Sequence, residues 1–139
     1  MLDAFIGRTL KPFLVIFGLL TGVTVLFALD IDLFWPLFRD LVDYTPASVP
    51  ALRHWGIMVF GVGMLMIAAA FRPWLRFETL LFAALEKAFL LYLFIRDLGE
   101  PWAMGYAGPV AIDSIIVLYS ILYFLSRHGR PQRWTPVPR

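Results

Sequence analysis

The sequence predicts an all-α integral membrane protein built as a four-transmembrane-helix bundle, and three observations support this fold class. Of the 139 residues, 60% are hydrophobic and only 16% are charged, whereas about a quarter of a typical soluble domain is charged. The apolar residues gather in four stretches, each about as long as a helix that crosses a hydrocarbon core of roughly 30 Å. Because lipid offers no hydrogen-bond partners to the backbone, each stretch is expected to be helical. This composition excludes an ordinary soluble enzyme, a disordered chain and a free nucleic-acid-binding protein.

The four predicted spans belong to one bundle, residues 1–126. They cover residues 12–29, 53–71, 77–95 and 109–126. The first span lacks the small residues of a signal-peptide cleavage site at its far end, so we interpret it as retained. The third span is unusual because it contains three charged residues, Glu78, Glu86 and Lys87. The fourth span contains a single charged residue, Asp113.

The connection between spans 1 and 2 has apolar residues at helical spacing, with acidic residues largely on the other side. These apolar residues are Ile31, Phe34, Trp35, Phe38, Leu41 and Val42. They predict a short helix in the outer interface of the membrane. A compact amphipathic loop that closes the outer mouth of the bundle is an equally good interpretation.

The C-terminal segment, residues 127–139, contains four arginines and three prolines without apolar periodicity. We interpret it as a basic cytoplasmic tail, which anionic lipid headgroups attract by about 1 kcal/mol per basic residue. A nucleic-acid partner is not expected for so short a strip. Membrane lipids are the expected partners.

The distribution of lysine and arginine predicts the orientation of the spans. Basic residues are concentrated in the N-terminal segment, in the loop between spans 2 and 3 and in the tail. On the opposite side Arg39, Arg53 and Arg96 are accompanied by an excess of acidic residues. We therefore expect a multi-pass protein of the cell (inner) membrane with both termini in the cytoplasm, which requires an even number of spans.

Gly18 and Gly22 form a small-xxx-small motif in the first span, and such motifs allow two helices to approach closely. A partner helix within the same chain is the simpler interpretation, because a four-helix bundle needs such contacts. Packing against a second copy or against another membrane protein is left open.

The charged residues inside the spans are the candidate functional groups, because a charge in the hydrocarbon costs roughly 2.5–3.5 kcal/mol. With a helical rise of about 1.5 Å per residue, Glu86 lies about 15 Å beyond Arg76, near the bilayer midplane. Lys87 lies about 16 Å from the cytoplasmic boundary and Asp113 about 21 Å from it. His54 is expected just beneath the outer surface.

An ion pair between Lys87 and Asp113 is the simplest structural account of these charges, because antiparallel neighbouring helices bring them to similar depths. Glu86 and Lys87 are about 100° apart around the helix, so we expect them to face different grooves. Glu86 then needs another partner, such as His54, Arg53, a tyrosine hydroxyl or a proton of its own. The predicted ligand-binding site or buried polar network consists of His54, Glu86, Lys87, Asp113, Arg53 and Arg96.

Two functional hypotheses of different class follow. The chain lacks cysteine, its two histidines fall on opposite sides of the membrane, and no familiar catalytic motif is present, so no metal or cofactor is predicted. The preferred hypothesis is a non-enzymatic accessory or scaffold component with a buried charge network. The alternative is a binding protein or an isomerase-like proton-transfer enzyme. Its cavity, lined by Glu86, Asp113 and His54, would hold a lipid, a quinone or another hydrophobic small molecule. Whether the protein is an enzyme is left open by the sequence.

Overall fold

The computed structural model describes residues 1–31, 45–100 and 103–129, which fold into α-helices joined by turns. The helices are α1 (Leu2–Gly22), α2 (Val25–Leu29), α3 (Val49–Phe71), α4 (Arg76–Arg96) and α5 (Ala107–Leu125), with short 3₁₀ turns at Pro73–Leu75, Ala103–Tyr106 and Arg127–Gly129. The predicted interfacial helix or loop, apart from Ile31, lies outside the described residues, and so does most of the tail. The first helix begins at Leu2 rather than near residue 12.

Three segments within the described ranges are long and apolar enough to cross a membrane. They are Leu2–Leu29, Val49–Phe71 and Ala103–Leu125, which correspond to predicted spans 1, 2 and 4. They indicate a multi-pass membrane protein. Helix α4 is 21 residues long, but it is too polar to qualify by composition alone, because Glu86 and Lys87 lie near its middle and further charged residues lie near both of its ends.

The helices associate as two pairs, if α1 and its short continuation α2 are counted together. In the first pair α1 and α2 pack on α3, and in the second pair α4 packs on α5. The start of α1 lies close to the end of α5, because His128 Nε2 is 3.2 Å from the carbonyl oxygen of Asp3. The rings of Phe77 and Phe124 are 5.4 Å apart, so the start of α4 lies at this end as well. We call this end of the bundle proximal and the opposite end distal.

Glycines bring α1 and α3 into close contact. A Cβ atom on Gly18 would lie 2.8 Å from the carbonyl oxygen of Gly63, and one on Gly63 would lie 2.7 Å from the backbone nitrogen of Gly22. The two backbones therefore touch where Gly18 and Gly22 face α3. The structure places this small-residue motif against a helix of the same chain.

The first predicted span is not one regular helix, because its hydrogen bonding tightens where α1 ends. The backbone N–H groups of Thr24 and Phe27 donate to carbonyls three residues earlier instead of four. The hydroxyl of Thr24 lies 2.8 Å from the carbonyl oxygen of Thr21 and 3.2 Å from that of Gly56 in α3. This shift lets the backbone of α2 follow α3, where a Cβ atom on Gly56 would lie 2.7 Å from the Thr24 carbonyl oxygen.

Arg76 closes the turn between α3 and α4. Its Nε donates to the carbonyl of Ala69 at 3.1 Å, and its Nη2 donates to that of Ala70 at 3.3 Å. The last carbonyls of a helix lack partners within the helix, so this side chain satisfies two groups that lipid would leave unbonded.

The hydrophobic core occupies the proximal half of the bundle. Its buried members are Ile6, Leu10, Phe13, Leu14, Val62, Met66, Ala69, Ala70, Leu80, Ala83, Ile116, Tyr119 and Tyr123. The rings of Phe13 and Tyr119 stack with centroids 3.6 Å apart, and the hydroxyl groups of Tyr119 and Thr9 are 2.8 Å apart. Helices α1, α3, α4 and α5 all contribute to this core, so the two helix pairs are joined here.

The distal halves of α4 and α5 are covered far less. No side chain from Ala88 to Arg96 in α4, or from Ala107 to Ile112 in α5, is buried. Lys87 and Asp113 are therefore the most distal buried residues of these two helices. They form the distal boundary of the buried interior of this helix pair.

Candidate functional site

Lys87 lies between two carboxylates at this boundary. Its Nζ atom is 3.0 Å from Oε2 of Glu86 and 3.4 Å from Oδ1 of Asp113. The side chains of Lys87 and Asp113 are only 5% and 7% exposed, whereas that of Glu86 is 28% exposed. We call Glu86, Lys87 and Asp113 the buried charge triad.

The contact between Lys87 and Asp113 confirms the predicted ion pair and joins α4 to α5. The expectation that Glu86 and Lys87 face different grooves was wrong. The angle of about 100° describes the directions of the Cβ atoms, but the flexible stems of both side chains bend along the helix surface until their charged ends meet. Glu86 is thus held by Lys87 rather than by His54, Arg53 or a tyrosine.

Hydrogen bonding in the triad is incomplete among the described residues. Glu86 Oε2 is buried and makes no hydrogen bond with residues 1–31, 45–100 or 103–129, so its contact with Lys87 is an ion pair without hydrogen-bond geometry. The serine hydroxyls of α5 are engaged elsewhere, because Ser114 and Ser120 donate to carbonyls of their own helix at 2.7 and 2.8 Å. A buried polar atom without a partner is rare in native structures.

The triad is also unbalanced in charge. One lysine faces two carboxyl groups, so the three groups carry a net charge of −1 when all are ionised. Removing the lysine would leave only negative charge beside the buried Asp113, whereas neutralising either acid would balance the site. The three members are therefore not equivalent.

The remaining predicted site residues lie elsewhere. Arg53 and His54 are exposed in the first turns of α3. The face of α3 that continues from His54 carries Met58 and Leu65, which are 55% and 46% exposed. These side chains point away from the interior, and the structure does not bring His54 to the triad.

Arg96 pairs with its neighbour Asp97 at the distal end of α4. Its Nε and Nη2 donate to the two carboxylate oxygens of Asp97, each at 2.6 Å. These hydrogen bonds lower the pKa of Asp97 from its ordinary value, and a guanidinium group stays protonated in proteins. Both groups are therefore charged at neutral pH.

A cavity of about 220 Å³ adjoins this pair. It is lined by Leu90, Leu93, Phe94, Arg96, Asp97 and Tyr106. The sequence analysis included Arg96 among the site residues but missed Asp97 and Tyr106. An adjacent arginine and aspartate directly after an apolar helix, followed within ten residues by a tyrosine, was the available signal.

A second cavity of about 320 Å³ opens beside the break between α1 and α2, lined by apolar residues of α1, α2 and α3. Within the described ranges, no three His, Cys, Asp or Glu side chains are placed to hold a metal ion. The triad itself, one ammonium and two carboxyl groups, offers electrostatic and acid–base chemistry. No protein-family model, no curated protein and no solved structure matches the chain.

Proposed function

We propose that the protein is a non-enzymatic accessory or scaffold component of the cell membrane. In this proposal the chain crosses the bilayer four times, with both termini in the cytoplasm, and the buried charge triad fixes α4 as the remaining span. The observation that carries the proposal is the position of the buried Lys87, which contacts a carboxylate of its own helix and one of α5.

The geometry of the second helix pair supports a fourth span. Phe77 contacts Phe124, and Lys87 contacts Asp113, so α4 runs antiparallel to α5. A helix of 21 residues is about 31 Å long, close to the thickness of the hydrocarbon core. Because α5 is itself apolar enough to cross, a helix packed antiparallel along it crosses the same bilayer.

The pairing of charges explains how so polar a helix is stabilised in lipid. Isolated charges at the midplane cost roughly 2.5–3.5 kcal/mol each, but Lys87 and Asp113 neutralise one another across the helix interface. Breaking such a pair leaves an uncompensated buried charge, and pairs of this kind specify how helices align in some proteins. In this proposal the triad therefore fixes the alignment of α4 along α5 within a membrane scaffold.

Single-cysteine labelling tests the topology, because the natural chain contains no cysteine. Gly99→Cys lies in the connection after α4, where an added Cβ meets no atom within 4 Å. Arg72→Cys and Ala4→Cys lie at exposed proximal positions. A membrane-impermeant maleimide should label Gly99→Cys on intact cells and the other two variants only after permeabilisation, with the unmodified chain as the control. Labelling of Gly99→Cys and Arg72→Cys from one side would refute the fourth span.

One observation favours the alternative, a binding protein or proton-transfer enzyme for a hydrophobic molecule. Glu86 is partly exposed, and its buried Oε2 has no hydrogen bond in the described part of the chain, so a rotation of this side chain would present an unbonded oxygen to a ligand donor. Such an oxygen is suited to receive a hydrogen bond or a proton from a ligand.

Native mass spectrometry of the full chain, released from mild detergent, separates the two functions. If the triad is structural, Glu86→Gln and Asp113→Asn should lower stability without changing the mass of any bound molecule. If it is a ligand site, the same variants should fold and lose a molecule that the natural chain retains. The second outcome would replace the scaffold proposal.

A further inference from the structure

The distal cavity differs from the triad in position and chemistry. Its apolar wall is formed by Leu90, Leu93 and Phe94, and the charged pair Arg96–Asp97 lies beside this wall. Leu90, Leu93 and Asp97 follow one another at the spacing of a single helix face. The cavity is thus apolar along the last turns of α4 and charged where the helix ends.

If α4 crosses the bilayer, as proposed above, this change from apolar to charged lining falls at the membrane boundary. Arg96 is at the end of a helix about 31 Å long whose other end is Arg76. The charged pair then lies at the level of the lipid headgroups, and the leucines lie at the level of the first acyl carbons. With a volume of about 220 Å³, the cavity is smaller than the roughly 300–1,000 Å³ of pockets for drug-sized ligands. It fits a headgroup and its attachment rather than a whole lipid.

Both members of the pair have binding capacity left. A guanidinium group has five N–H donors, and Asp97 engages only two of those of Arg96. The Arg96 side chain is 55% exposed, so its other donors can reach a phosphate. Each carboxylate oxygen of Asp97 can accept a further hydrogen bond, although its side chain is only 13% exposed.

We propose that the distal cavity binds one phospholipid whose headgroup carries both a phosphate and a primary ammonium group. Arg96 donates hydrogen bonds to the phosphate, and Asp97 accepts them from the ammonium group. The restricted access to Asp97 favours a small ammonium with N–H donors over a trimethylammonium group, which has none. Leu90, Leu93 and Phe94 contact the glycerol region and the first methylene groups.

Lipid titration of the full chain, followed by native mass spectrometry, tests this inference. The probes are phosphatidylethanolamine, phosphatidylcholine and phosphatidylglycerol with identical acyl chains, and free phosphoethanolamine as the water-soluble headgroup. We expect phosphatidylethanolamine to bind about ten-fold more tightly than the other lipids, the equivalent of one charge-assisted hydrogen bond. Equal binding of all three lipids would refute the proposal, and so would free phosphoethanolamine binding as tightly as the lipid.

Variants assign the two headgroup contacts. Arg96→Gln should weaken binding of phosphatidylethanolamine and phosphatidylcholine alike, and Arg96→Lys should restore part of it. Asp97→Asn should weaken only phosphatidylethanolamine, to the level of phosphatidylcholine. Arg53→Gln is the matched control, because Arg53 is also exposed at the distal end but does not line this cavity. Unchanged binding by Arg96→Gln, or an equal loss with Arg53→Gln, would overturn the assignment.

The outcome is separable from that of the scaffold proposal. If Gly99→Cys is labelled from outside but no headgroup preference is found, α4 spans the membrane and the lipid site is wrong. If Gly99→Cys and Arg72→Cys are labelled from the same side, α4 does not cross the membrane, the cavity is not at the opposite headgroup level and both proposals fail. Thermal unfolding of each variant shows whether a loss of binding reflects a loss of fold, and retained binding by Arg96→Lys in a folded chain supports the site.

Discussion

Replacing Lys87 with methionine should destabilise the bundle more than replacing either of its acidic partners. Methionine is unbranched and only one atom shorter than lysine, but it removes the cation that lies 3.0 Å from Glu86 and 3.4 Å from Asp113. At 3.4 Å, two unit charges attract each other by about 5 kcal/mol at an effective dielectric constant of about 20, before the cost of desolvation is subtracted. The variant retains two carboxylates near one another without a counter-charge.

The expected loss is about 3–5 kcal/mol in the free energy of unfolding, as for other buried pairs that lose one partner. Asp113→Asn should cost less, about 1.5–3 kcal/mol, because Lys87 keeps Glu86 and the site becomes neutral. Glu86→Gln should cost least, since Glu86 is the most exposed member and lies on the same helix as Lys87. The order of the three losses in unfolding free energy thus depends on two things. One is the net charge left in the triad, and the other is whether the lost contact links α4 to α5 or lies within α4.

Unfolding of the full chain by sodium dodecyl sulfate in mixed micelles, followed by circular dichroism, measures these differences. Leu85→Met is the control, because Leu85 is 64% exposed on the same helix. The double variant of Lys87 and Asp113 should lose less than the sum of the single variants, with a coupling of about 0.5–3 kcal/mol. A Lys87→Met chain as stable as Glu86→Gln would refute the reasoning, because the positive charge of Lys87 would then not be needed to neutralise the two carboxylates.

Two further predictions concern packing in the proximal and central parts of the bundle. Gly63→Ala should destabilise the fold by about 1–3 kcal/mol, because its Cβ would lie 2.5 Å from the carbonyl oxygen of Gly18. The control is Gly61→Ala, whose Cβ would meet no atom within 4 Å, and which should be neutral or stabilise the fold by about 0.5–1 kcal/mol. Equal effects of the two variants in the same unfolding assay would contradict the close contact. Tyr119→Phe should cost about 0.5–1.5 kcal/mol through loss of its 2.8 Å hydrogen bond with Thr9, and Thr9→Val should add little to it. A fully additive double variant would show that the two hydroxyls do not interact.

The sequence was sufficient to predict the helical class, three segments that are long and apolar enough to cross a membrane, and the ion pair of Lys87 with Asp113. Apolar length determines a span in lipid, and charges at matching depths on adjacent helices have few other partners. The placement of Glu86 could not be predicted, because helical periodicity fixes the direction of a Cβ atom but not the reach of a flexible side chain.

The contacts between helices could not be predicted from the sequence either. The small-residue motif of Gly18 and Gly22 indicates a close contact but not its partner, and Gly63 was not singled out. His54 was interpreted as part of an interior cavity because of its depth, yet its face of α3 is exposed. The rotation of a helix about its own axis depends on all its neighbours, and no local pattern in an almost uniformly apolar helix reports it.

The triad has a consequence for the order in which the chain is made. Helix α4 leaves the ribosome before Asp113 does, so during synthesis Lys87 has only Glu86 as a counter-charge. We therefore expect α4 to remain at the lateral exit of the insertion machinery until α5 follows, and the two helices to enter the bilayer as a hairpin. A chain truncated before residue 113 should then leave α4 outside the bilayer.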